Sequence, residues 1–469
     1  MQDTKLYALW LLLTRIEQRE LARWLAYDNV RNDVTALYEL LCDMRDNGTV
    51  YTKAEAFARL YGDAPYNDNW LRHAQSFLVK NIEDFLVHRA VRSDEGLAQQ
   101  HLTAEYRSRK HDKSFAQSLQ TWQKTVATAP QHAETLHRIA EAEQEWQDQN
   151  MPLKADNDNL QTLLDAEERA FAARKLRTVC TALSYQTMRK TQYNLGILDD
   201  LLRYIEQRNW HNTTPAIGAY YHIYKMLTNE IGLPFFNILI EKLPEYQTVF
   251  AAKEYKDLYV NVVNFAIKEI NRFGIDKHGI CFLRQLFGLY QTGVAKGYLL
   301  NQGQITEFTY KNIVAIGLNL GEYVYIRTFL EDYRTALPAA DRLTNYRYNL
   351  ARYFYTLKDY DNAMPLLNQL ANTPNTILLL GAKLIQLKMY YELREYDVLD
   401  AHLRTFAQFL HRKRSILSYH QTTYKNIIAL IKQLMLLDKN DKTAAAALRQ
   451  AIEETNPLTE RAWLLAQVC

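Results

Sequence analysis

Carboxylates, histidines and basic side chains are the groups in this chain that could do chemistry, and their spacings decide how far each can go. Asp156, Asp158 and Glu167 stand at positions 1, 3 and 12 of a calcium loop. Leu160 and Gln161 occupy the places that need an oxygen ligand and a turn glycine, so Asp156-Asn157-Asp158-Asn159 reads as a helix cap. Gly288 and Gly293 have phosphate-loop spacing, but Val294-Ala295-Lys296 follows where Gly-Lys-Ser/Thr is required. His132 and His137 are five apart, whereas a metal pair on one helix face needs a spacing of four. Glu167-Glu168 and Asp199-Asp200 lie in helical stretches and read as solvated faces. The expectation is no enzyme: no catalytic, cofactor-binding or metal-binding residues.

Phosphate contact is the second chemistry to weigh. A short helix at 52–61, a break at Gly62–Pro65 and a following amphipathic helix have roughly the spacing of a helix-turn-helix, with Arg72, His73 and Lys80 near the exposed side. Basic clusters at Arg107-Ser108-Arg109-Lys110-His111 and His411-Arg412-Lys413-Arg414 would add phosphate contacts. Against this, Glu83 and Asp84 share the helix and the turn is long. Globally, 56 basic against 53 acidic residues leave a net charge of +3, which gives no argument for nucleic acid or membrane.

The elements that would position these groups are helices. With only 15 Gly and 10 Pro in 469 residues, a turn-rich β fold is disfavoured. Three zones are expected. Residues 1–95 form an N-terminal helical cap domain with helices near 5–26, 33–46, 52–61 and 68–90. Thr52 and Glu55 form a capping box, and Asn67 or Asp68 caps the next helix. Residues 96–190 form a long-helix linker zone. Its last helix, of about 30 residues and so about 45 Å long, carries the apolar stripe Leu160, Leu163/Leu164, Phe171, Leu176, Val179 and Leu183. The apolar run Leu6–Leu13 is too short to span a membrane, and Cys42, Cys180, Cys281 and Cys469 form no C-x-x-C pair. A cytoplasmic protein with reduced thiols is expected.

The third zone, 191–469, carries a period. Tyr323, Tyr360 and Tyr396 are 37 and 36 residues apart, each after a Gly-Glu, Lys-Asp or Arg-Glu pair. At offsets of 3, 7 and 10 from each tyrosine stand Ile326, Leu330 and Tyr333, then Ala363, Leu367 and Leu370, then Leu399, Leu403 and Phe406. Those offsets share one helix face, and a period near 36 marks a helical repeat. Tyrosine, at 32 copies, suits thin repeat layers because an apolar ring can be buried while the hydroxyl reaches a polar partner.

The best unit, 346–375, sets Leu350-Ala351-x2-Phe354, Ala363-x3-Leu367 and Pro374 in the order of the tetratricopeptide repeat, which it resembles. Arg347 departs from that pattern at its first aromatic, and Pro374 comes one residue early. Phe236, Leu239, Leu243 and Tyr246, and then Leu283, Leu286 and Tyr290, are fainter echoes. The segments 156–186, 307–333, 378–403 and 65–87 also resemble a family of long all-helical bacterial proteins, one for which the resemblance implies a fold and no activity. The expected fold is therefore an all-α, tetratricopeptide-like α-solenoid, with Leu458–Val468 capping its last layer.

In a tetratricopeptide superhelix the first helix of each pair lines the concave groove. The resemblance thus places Tyr348, Arg352 and Tyr355 there, with Lys311, Lys388 and Tyr391 at matching places next door. Such a stripe suits an acidic segment or a C-terminal carboxylate. The alternative is that these are ordinary solubilising residues. The expected function is a non-catalytic cytosolic adaptor or scaffold holding a protein or peptide partner. A DNA-associated regulator with a peptide-sensing array is the alternative.

Overall fold

The computed structural model describes residues 1–27, 31–150, 160–189, 191–229, 232–273, 275–412, 414–438 and 441–468. The fold is all-α, with 24 helices and one two-stranded ribbon among the described residues. No helix among them is long and apolar enough to cross a membrane. The chain divides into two compact units, Met1–Ala252 and Lys253–Cys469. The zone boundary expected at 190 thus falls inside the first unit.

In the first unit, α1 (Lys5–Leu12), α2 (Arg15–Tyr27), α3 (Asn32–Asp46) and α4 (Lys53–Tyr61) all pack on α5 (Asp68–Ser93). The stretch expected as one helix over 5–26 breaks at Leu13, whose backbone is extended. The cause is a second capping box: Glu17 accepts from the Thr14 amide at 2.7 Å, and Thr14 Oγ1 accepts from the Glu17 amide at 3.3 Å. The box at Thr52 and Glu55 forms as expected, and Asn67 caps α5. Leu71, Leu78, Ile82 and Phe85 are the buried stripe of α5, while Phe77 is exposed.

The unit continues through α6 (Glu95–Ser108), α7 (Asp112–Thr128) and α8 (Ala133–Asn150) to the 30-residue α9 (Leu160–Arg189). Only part of the expected stripe on α9 is buried: Leu160, Leu164 and Phe171 face out, while Ala166, Ala170, Ala172 and Ala173 are buried with Leu176 and Val179. Small side chains let the backbones of α8 and of α12 (Pro215–Thr228) approach α9 closely. Before α12 come α10 (Leu198–Gln207) and α11 (Trp210–Thr213). After it, α13 (Leu233–Val249) buries Phe236, Leu239, Leu243 and Tyr246.

The second unit opens with α14 (Ala252–Phe273) and α15 (Ile275–Ala295), the latter kinked at Gly279. A ribbon then follows that the sequence reading missed. In it β1 (Leu300–Asn301) pairs antiparallel with β2 (Gln304–Ile305) across Gln302 and Gly303, both at positive φ, as a two-residue hairpin requires.

Three helical hairpins come next: α16 (Glu307–Asn319) with α17 (Tyr323–Asp332), α18 (Arg342–Thr356) with α19 (Tyr360–Asn368), and α20 (Thr376–Glu392) with α21 (Tyr396–Arg412). The three periodic tyrosines are the first residues of α17, α19 and α21. Ile326 and Leu330, Ala363, Leu367 and Leu370, and Leu399, Leu403 and Phe406 are all buried. The residue two before each tyrosine is left-handed: Gly321 at φ 76, Lys358 at φ 62 and Arg394 at φ 60. In each case the next amide donates 2.9 Å back to a carbonyl five residues earlier, at Gly317, Phe354 and Tyr390. This is the Schellman closure of a helix C-terminus. The first helices α16, α18 and α20 lie side by side in that order. The last helices are α22 (Arg414–Leu436), α23 (Lys442–Glu454) and α24 (Arg461–Val468).

A left-handed L-residue costs about 1 kcal/mol that glycine does not. Arg394→Gly should therefore raise the unfolding free energy by about 0.5–1 kcal/mol, and Gly321→Ala should lower it by about 1 kcal/mol. Denaturant melts of the two variants check this, since the opposite order would mean that the turns do not set the hairpins.

Candidate functional site

The six residues placed on the groove lie on three neighbouring first helices: Lys311 on α16, Tyr348, Arg352 and Tyr355 on α18, and Lys388 and Tyr391 on α20. α18 and α20 lie in parallel register. Tyr348 on α18 sits against Gly381 on α20, where a Cβ would come within 2.4 Å of the Tyr348 hydroxyl. Two turns on, the Lys388 ammonium lies 4.8 Å from the centre of the Tyr355 ring. Between those contacts, Arg352 on α18 is near enough to Lys311 on α16 to depress its pKa.

Exposure divides the six. Tyr348, Tyr355, Lys388 and Tyr391 are buried, so they are not an open stripe, whereas Lys311 and Arg352 are partly exposed. The cover comes from the same unit. Lys388 Nζ donates to Glu460 Oε2 at 2.8 Å, and the lysine side chain keeps only 10% of its exposure. Trp463 on α24 packs edge-on against Tyr391, with ring centres 5.5 Å apart. Leu464 and Val468 join the apolar cluster of α20–α23. The expected C-terminal cap thus seats one carboxylate on the basic face.

A second carboxylate organises the adjoining layer. Glu392, the last residue of α20, accepts from Tyr355 Oη, Lys358 Nζ and Trp463 Nε1, each at 2.7 Å, and from the Tyr360 hydroxyl. Burial alone would raise its pKa, but the hydrogen bonds from Lys358, Tyr360, Trp463 and Tyr355 hold it below the usual carboxyl value. The same burial, with Glu392 as neighbour, pushes the Tyr355 and Tyr360 phenols up.

The remaining cations differ. Neither Lys311 nor Arg352 forms an ion pair with another described residue. Burial first, and then the Arg352 charge, lowers the Lys311 pKa, with Glu307 one turn away offsetting part of the shift. An anion between these two cations would relieve both effects. The arrangement can therefore bind a carboxylate electrostatically. Its residues offer no paired nucleophile and base.

Of the groups considered for phosphate contact, three arginines are paired locally. Arg72 pairs with Asp68 at 2.6 Å, Arg107 with Glu145 at 2.8 Å, and Arg109 with Glu105. Lys110 ends α6 at φ 54. His73 and Lys80 are exposed. Lys413 and the Arg414 side chain lie outside the described residues, as do Asp156–Asn159 and Cys469. His137 faces Glu141 at 3.8 Å, Asp200 pairs with Arg203, and Glu168 accepts from Tyr204 at 2.5 Å.

Sequence reasoning missed a buried histidine. His222 on α12 is 3% exposed, and its Nδ1 has no hydrogen-bond partner among the described residues. Nearby, His211 Nδ1 and Tyr246 Oη are also buried without partners. Burial, together with the Lys242 and His211 charges, lowers the His222 pKa to about 4. Only its position on the fully buried face of α12, between Gly218 and Met226, gave a hint.

Compared with known proteins, the chain matches no family model, no curated protein and no solved structure.

Two outcomes follow from the charges. Glu392→Ala leaves four donors without their acceptor and should cost about 2–4 kcal/mol in a denaturant melt. An unchanged midpoint would show that water replaces the carboxylate. For His222 the folded pKa lies below the unfolded one, so its neutral form contributes stability above pH 6.5 that is lost as pH falls toward 4. The loss is on the order of 3 kcal/mol, and His222→Phe should flatten that part of the stability–pH curve.

Proposed function

We propose that this protein is a non-catalytic cytosolic adaptor. On this reading α16–α21 are tetratricopeptide-like repeats of a solenoid, and the tyrosine-lined basic face of α16, α18 and α20 holds an acidic segment of a protein partner. One observation carries the reading. Three cations, Lys311, Arg352 and Lys388, come from three successive first helices, and of these only Lys388 is neutralised, by Glu460. Unpaired and partly buried cations are costly for stability, and a ligand carboxylate placed between them offsets that cost. The charge-assisted hydrogen bonds it would receive supply both affinity and orientation.

The test is binding of fluorescein-labelled hexaglutamate, followed by anisotropy. Arg352→Glu and Lys311→Met should each weaken it at least about tenfold, a change of about 1.4 kcal/mol, with unaltered circular dichroism. The binding should also weaken steeply with salt. Lys388 is left out of this test, because reversing a buried, paired lysine would set it against Glu460 and cost about 3–5 kcal/mol of fold stability. Equal binding by wild type and both variants would remove the basic face from the function.

A further inference from the structure

We infer that the segment Thr455–Val468 is an internal ligand of the basic face, which a partner segment of the same chemistry displaces. That chemistry is a carboxylate at the start of one helical turn with a tryptophan three residues later, as in Glu460 and Trp463. The inference rests on the adaptor reading of that face.

Three observations support it. Glu460 is the one residue of the segment that reaches the cations, through the 2.8 Å bond to Lys388. Glu460 also holds a left-handed backbone at φ 57, a conformation costly for a glutamate. Three residues on, Trp463 places its indole N–H on Glu392 at 2.7 Å and its ring against Tyr391. The two anchors thus read the lysine of one turn of α20 and the carboxylate of the next. The segment is further held by Asn426 Nδ2 donating to the Pro457 carbonyl at 2.9 Å, by the Arg461 guanidinium donating to the Thr455 carbonyl at 2.7 Å and to the Ile452 and Glu453 carbonyls of α23, and by the burial of Leu464 and Val468 in α24.

An intramolecular ligand competes at an effective concentration of about millimolar, so a free segment sees a weakened site until the internal one is loosened. A partner that also contacts Lys311 and Arg352, which Glu460 leaves unpaired, gains contacts that the internal segment lacks.

The experiment adds a fluorescein-labelled peptide of residues 455–468 to the full chain and to a Glu460→Gln/Trp463→Phe variant, with hexaglutamate in parallel. The peptide should bind the variant at least about tenfold more tightly than wild type. Its own Glu460→Gln form should lose that gain. In wild type, saturating peptide should speed amide hydrogen exchange in 461–468 while leaving α18 and α20 protected, a readout that stands even if the double variant folds poorly. Equal peptide affinity for both chains, with unchanged exchange in 461–468, overturns the inference. If hexaglutamate binds in that case, the adaptor reading survives alone; if neither ligand binds any chain, both fall.

Discussion

The second unit depends on reversing a helix within two residues, three times over. At Gly321, Lys358 and Arg394 the backbone turns left-handed, and the following amide closes on a carbonyl five residues back. That closure satisfies carbonyls a helix end would otherwise strand, and it points the next helix back along the first. Hairpins made this way expose one flank of each first helix to the next hairpin, so α16, α18 and α20 come together. For that reason Lys311, Arg352 and Lys388 stand on three neighbouring helices. Close approach completes the register: Gly381 has no Cβ, and Tyr348 fills the place one would take.

Electrostatics then sorts the face. A charge removed from water must find a partner, and the more it is buried the more it loses without one. Lys388, the most enclosed of the three cations, has Glu460. Glu392 sits at the C-terminal end of α20, where the helix dipole disfavours a carboxylate, and four donors compensate. Lys358 serves twice, ending α18 with its left-handed backbone and neutralising Glu392 with its side chain. Lys311 and Arg352 keep partial exposure, and water screens what no partner does.

The first unit solves a different packing problem. α9 buries Ala166, Ala170, Ala172 and Ala173 beside Leu163, Leu176 and Val179, and the small side chains let α8 and α12 approach it closely. Its larger apolar residues Leu164 and Phe171 are left outward. On α12 the run from Ala216 to Ile223 is buried throughout, His222 included, and a neutral imidazole is what that setting selects.

Local chemistry was legible in the chain. Capping boxes, glycine breaks and the 36–37-residue period depend on residues within a few positions of one another, and they placed helix starts at Lys53, Asp68, Tyr323, Tyr360 and Tyr396. The all-α class follows from that periodicity, and so does the placing of Lys311, Arg352 and Lys388 on three successive first helices. Which of those residues reach solvent did not follow, because exposure depends on what lies on top. Glu460 and Trp463 are 72 and 71 residues from the side chains they engage, and no local pattern encodes such a pairing. The buried face of α9 was misjudged for the same reason: side-chain size suggests what can be buried, but the neighbours decide what is. The sequence by itself determined the helices and the placing of three cations on successive hairpins; only the tertiary structure decided that one is neutralised from within and two keep partial exposure, because desolvation is a property of the packed surroundings and not of the residue.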